Sequence, residues 1–171
     1  MGTTKTTTLL AALLAGAALS APAASARQVG LPAHLQPRTV ECDDASTGIG
    51  EPTASAPRVG PFDMLGSRES GSHWNSATKR FASKVPVVID GAEPVVVSVP
   101  ARLGGRLALV YGGSSGRGLS EQVTFVPCAA RPATFFPGGL LFTRREPISL
   151  FVQPAGWARP KILRLGVFAP Y

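Results

Sequence analysis

One formal catalytic motif can be written in this chain, because Gly112-Gly-Ser114-Ser-Gly116 satisfies G-x-S-x-G. A nucleophile elbow needs a strand before the serine, a helix after it, and an Asp and then a His later in the chain. A strand is expected before Ser114. After it, Arg117-Gly-Leu-Ser-Glu121 leads directly into another strand, and no histidine follows His73. The stretch therefore reads as a hairpin loop of Gly and Ser. The order His73, Asp90, Ser114 resembles a protease triad, but any chain supplies such a triple, and the domain is too small for two barrels. His34 falls in an N-terminal arm, which leaves His73, beside Trp74, as the one general-base candidate.

Glycoside hydrolysis needs two carboxylates facing each other across a cleft. Glu41, Asp43, Asp44, Glu51, Asp63, Glu69, Asp90, Glu93, Glu121 and Glu146 offer acids, and sequence alone cannot pair them. Cys42-Asp43-Asp44 could lend oxygens to calcium, yet no D-x-D-x-D-G spacing accompanies it. Turn and strand-end solvation is the plainer reading of these acids. Trp74 and Trp157 are the candidates for stacking on sugars, against the alternative that both belong to the core or its rim. Trp157 lies in Pro154-Ala-Gly-Trp157, a turn between two strands, where exposure is expected.

Charge carries the most physical content. Beyond residue 26, thirteen Arg and three Lys stand against ten acids, a balance of +6. Clusters occur at Lys79-Arg80 with Lys84, at Arg144-Arg145, and at Arg159, Lys161 and Arg164. Arginine forks suit phosphates and carboxylates, so the last five residues are the candidate anion-binding set. Bacterial cell-wall polymers carry both groups. Nucleic acid would also be attracted, but no recognition motif is present and the chain reads as exported, so no nucleic-acid partner is expected. A basic surface that serves solubility alone is the competing reading.

The elements that must position these groups are short strands. Val85-Pro-Val-Val-Ile-Asp90 and Pro94-Val-Val-Val-Ser-Val99 are β-branched runs joined by Gly91-Ala-Glu93, which reads as a hairpin. Leu107, Leu109 and Tyr111 alternate onto one face, as do Val123 with Phe125, Ile148 with Leu150 and Val152, and Leu163 with Leu165 and Val167. Further strands are expected at residues 38–42, 59–64 and 139–143, giving about seven to nine. Residues 74–81 are expected to hold one helical turn. Sixteen prolines argue against long helices. The expected architecture is an all-β antiparallel sandwich, with a closed barrel as the alternative. An outer-membrane barrel is disfavoured, because its strands need about 9–11 residues and these runs are shorter and broken by proline.

Lys5 followed by an apolar run from Leu9 to Leu19, then Ala24-Ser25-Ala26, has the form of a secretory signal peptide cleaved before Arg27. That run is short of the roughly 20 residues that span a bilayer. The expected layout is a signal peptide at 1–26, a flexible arm at 27–37 and one sandwich domain at 38–171. Cys42 and Cys128, the two cysteines of the chain, read in an oxidising compartment as one disulfide, with a reactive thiol or a metal site as alternatives. No cofactor or metal is expected.

Cys42-Asp43, the Gly112-Gly113 hairpin, Val126-Pro-Cys128, Phe136-Pro-Gly-Gly139 and a last strand ending Leu165-Gly-Val167 together resemble small secreted β-rich proteins of actinobacteria whose activity is uncharacterised. The resemblance covers residues 38–168 and implies the fold and the compartment, with no activity attached. It also implies a second disulfide, but Glu146 and Phe168 stand where those cysteines would fall. The functional expectation is a secreted, non-enzymatic module that binds anionic wall polymer or another secreted protein. The second expectation is a small secreted hydrolase with a site built from His73 and scattered carboxylates.

Overall fold

A computed structural model describes residues 35–46, 56–66, 71–77, 79–112 and 118–168. The expected signal peptide, most of the expected arm with His34, and Glu51, Glu69 and Ser114 of the G-x-S-x-G motif lie outside the described residues. In chain order the strands are β1 (Arg38–Val40), β2 (Arg58–Val59), β3 (Phe62–Met64), β4 (His73–Asn75), β5 (Arg80–Lys84), β6 (Val87–Asp90) and β7 (Val95–Ser98). They continue with β8 (Leu107–Tyr111), β9 (Leu119–Ser120), β10 (Gln122–Phe125), β11 (Ala133–Phe136), β12 (Gly138–Phe142), β13 (Ile148–Pro154) and β14 (Lys161–Gly166). Short 3-10 turns at Cys42–Asp44 and Ala101–Leu103 are present, and no α-helix occurs among the described residues. The all-β class is as expected. The strands are more numerous and shorter than the seven to nine anticipated, because tight turns split several apolar stretches in two.

Three sheets hold them, ordered β1-β10-β7-β13-β14, β11-β6-β3-β2 and β4-β5-β12-β8-β9. The alternating faces read from sequence meet in one core shared by all three sheets. Leu107, Leu109, Tyr111, Val123, Phe125, Ile148, Leu150, Val152, Leu163 and Leu165 are all buried there. Val123, Val97 and Val152 stand side by side across β10, β7 and β13. Each such side chain removed from water contributes about 1.5–3 kcal/mol. Tyr111 brings a hydroxyl into this core, and it donates to the Val85 carbonyl at 2.5 Å. Burial pushes its phenol far above the usual range.

Three expectations are corrected. The runs around β6 and β7 do not pair as a hairpin: β6 joins β11 and β3, whereas β7 joins β10 and β13. Their connection is a corner held by other segments, since Gly91 N–H donates to the Pro132 carbonyl and Ala155 N–H to that of Pro94. The described residues of 74–81 hold no helical turn. Instead β4 and β5 pair antiparallel with Trp74 opposite Phe81, and Lys79 closes the turn at φ 52°. Cross-strand aromatic pairing on one face outweighs the weak helical pattern. Finally, Val167 leaves the face of Leu163 and Leu165 and is 56% exposed. Gly166 at φ 77° and a register shift beside Ile148 break the alternation, so Phe168 turns inward instead.

Cys42 and Cys128 form a disulfide with Cα atoms 4.9 Å apart. The cause is the one parallel pairing among the described strands, β1 with β10, which sets Val40 beside Phe125. Two strands running the same way deliver their next residues to the same place. Val126 N–H donates to the Val40 carbonyl there, and the cysteines follow within two residues.

Candidate functional site

The structure brings two of the five candidate cations to the two tryptophans, in two groups: Arg145 lies on the Phe81 ring that Trp74 meets, and Lys161 lies on Trp157. The first lies at the edge of the β4-β5-β12-β8-β9 sheet. Because β4 is the edge strand, Trp74 projects past the rim of the core and stays 53% exposed. An aromatic row anchors it: Trp74 meets Phe81 edge-to-face at 5.1 Å, Phe81 stacks on Phe142 at 5.9 Å, and Phe142 on buried Phe168 at 5.6 Å. Arg145, in the loop after β12, lays its guanidinium carbon 4.3 Å over the Phe81 ring. Its Nε–H donates to Ser72 Oγ at 3.1 Å and an Nη2–H to the Ser72 carbonyl at 3.4 Å. A guanidinium has five N–H groups, so three are left for another acceptor. Arg144 beside it is exposed.

The second group sits where β13 turns into β14. Trp157 is half-buried and packs on the core. Its carbonyl accepts from Gln153 Nε2 at 2.9 Å, and Lys161 Nζ lies 4.6 Å over its ring. Gly60, at φ 56°, abuts the same ring so closely that a Cβ there would stand 3.0 Å from Cζ2. Arg159, Lys161 and Arg164 are exposed. Arg164 lines a shallow depression with Pro57, Arg58, Ile162 and Leu163.

Acids and cations are divided unequally. Arg58 contacts Asp63 at 3.1 Å and Asp90 at 2.5 Å, and its Nε–H donates to the Gly60 carbonyl at 2.8 Å. Asp63 is 2% exposed. Burial raises its carboxyl above the usual range, Arg58 pulls it back, and Asp90 raises it further. Arg106 pairs with Glu146 at 3.2 Å, and Glu121 accepts the Gly105 N–H at 2.6 Å. These acids hold the chain together. By contrast, no carboxylate of the described residues lies within 4 Å of Arg144, Arg145, Arg159, Lys161 or Arg164.

His73 is exposed on β4, paired across the strands with Ala82. Among the described residues no carboxylate lies within 4 Å of it, and no group of three or more His, Cys, Asp or Glu could hold a metal ion. Sequence reasoning overlooked Phe81, Ser72 and Arg58. Phe81 would have been found by reading residues 74–81 as a hairpin. Nothing in the sequence marks Ser72 as the anchor of Arg145, because 73 positions separate them. No helix of the described residues is long and apolar enough to cross a membrane. The chain matches no family model and no curated protein.

Proposed function

We propose that this protein is a secreted, non-enzymatic binding module that holds an anionic polymer of the bacterial cell wall through its basic surface. The observation that carries this reading is the division of charge. Asp63, Asp90 and Glu146 are spent on Arg58 and Arg106, while Arg144, Arg145, Arg159, Lys161 and Arg164 have no carboxylate near them among the described residues. Exposed cations with no carboxylate to neutralise them attract polyanions, and arginines fork onto phosphates or carboxylates. The leader-like sequence at residues 1–26 and the Cys42–Cys128 bridge support export to an oxidising compartment.

The test is retention of the purified protein on wall material across a salt series. Binding through exposed charges weakens as the screening length shortens from about 10 Å at 0.1 M to about 3 Å at 1 M. Retention lost in moderate salt, and lost in low salt by a variant with Arg144, Arg159, Lys161 and Arg164 all changed to Gln, supports the proposal. No retention at any salt sinks it.

A further inference from the structure

The two tryptophan groups differ in what they leave open, and the difference names a ligand. We infer that Trp74, Phe81 and Arg145 form a subsite for an acidic saccharide unit, its ring on the indole and its carboxylate or phosphate on the guanidinium. This rests on the proposal that the basic surface binds a polyanion, and it specifies which unit of the polymer is read and where.

Charge alone needs no aromatic ring and no fixed arginine, yet both are built here. Trp74 offers an apolar surface that is 53% exposed, anchored through Phe81 and Phe142 to Phe168 in the core. The C–H face of a pyranose is apolar and packs on such a surface, whereas its hydroxyls stay in water. Arg145 is not a freely moving surface charge. Ser72 takes two of its N–H groups and Phe81 lies under its plane, which leaves three N–H groups directed elsewhere. Fixing the side chain beforehand reduces the entropy lost on binding. Both groups contact the one Phe81 ring, so an aromatic surface and an anion fork occur within a single short stretch of surface. A neutral sugar would leave the fork unused, and a simple polyanion would leave the indole unused. An acidic sugar engages both. At Trp157, by contrast, Lys161 covers the ring and Gly60 crowds its edge.

The experiment compares polygalacturonate, an acidic sugar polymer, with polyglutamate, which carries carboxylates without rings, at equal carboxylate concentration and fixed salt. The expected result is about ten-fold tighter binding of polygalacturonate, a difference that needs only about 1.4 kcal/mol. Trp74→Ala should remove that preference and leave polyglutamate binding unchanged. Arg145→Gln should weaken polygalacturonate about ten-fold, and Arg145→Lys should not restore it, because an ammonium lacks the fork. Circular dichroism of each variant checks the fold, and Trp157→Phe serves as the control from the other group. Equal binding of the two polymers, or a preference that survives Trp74→Ala, overturns the subsite while the charge-based proposal stands. Binding of neither polymer overturns both.

Discussion

Trp74 and Trp157 each stand beside cations, but the chain invests them differently. Trp157 is held by Gln153, crowded by Gly60 and capped by Lys161, and Arg58 next to Gly60 is tied to two carboxylates. There the Trp157 ring and the Arg58 charge are taken up by contacts within the fold, while Arg159 and Arg164 stay exposed with no carboxylate of the described residues near them. At the β4 edge, Trp74 is mostly exposed and Arg145 has hydrogen-bond donors left over. The same residue types therefore serve cohesion in one place and leave recognition open in the other. What separates them is how many of their contacts the fold itself uses.

The largest effect should come from a change outside both regions. Replacing Cys42 and Cys128 by Ser reopens a loop of 86 positions and should cost about 4–5 kcal/mol. In urea, both tryptophan environments should be lost in one earlier transition. Two separate transitions would show that the regions are independently stable, and the comparison would then concern two subdomains. Next in size, Trp157→Ala should destabilise by about 2–3 kcal/mol by emptying a half-buried site. Trp74→Ala should cost less than about 1 kcal/mol, since the residue is already 53% exposed. Equal costs for the two changes would abolish the distinction.

Between those two in size, Gly60→Ala should destabilise by about 1–2 kcal/mol, because its positive φ disfavours a side chain and the new methyl presses on Trp157. A neutral result would mean the Trp157 ring is free to shift and is not the fixed member of the pair. The smallest effect concerns pH. Asp63 has a folded-state carboxyl raised above 3.8, so its contribution is fully favourable below that value and is lost as pH rises through the higher folded value. Compared with Asp63→Asn, the wild type should therefore gain stability on acidification through that window, measured as the difference between denaturation midpoints at each pH. Parallel midpoints would mean that Arg58 fully offsets the burial of Asp63, making this clasp a stronger brace than its surroundings imply.

Much of the fold was legible in the residues because burial follows period-2 alternation. Leu107, Leu109 and Tyr111 were expected on one face and share the core, as do Ile148, Leu150 and Val152. The disulfide was legible from the cysteine count and the expectation of export, though the parallel pair that brings Cys42 to Cys128 was not. The β6–β7 hairpin was misread because β-branched runs with a glycine link look alike whether they pair or turn a corner. At that corner Gly91 N–H donates to the distant Pro132 carbonyl and the Pro94 carbonyl accepts from the distant Ala155 N–H, and no local pattern records either bond. At the candidate site, the types of Trp74, Trp157 and the five cations were visible, but their grouping was not.

What the sequence determined by itself was composition and periodicity: an all-β chain with one cysteine pair and an excess of arginine. Those are local or summed properties, and each residue contributes to them regardless of what it meets. Only the tertiary structure decided that Arg145 lies over Phe81 under the hold of Ser72, that Arg58 is divided between Asp63 and Asp90, and that Lys161 covers Trp157. Whether a charge or a ring is spent or open depends on partners that sheet pairing brings in from distant positions. That is a property of the folded surface and has no signature in the order of the residues.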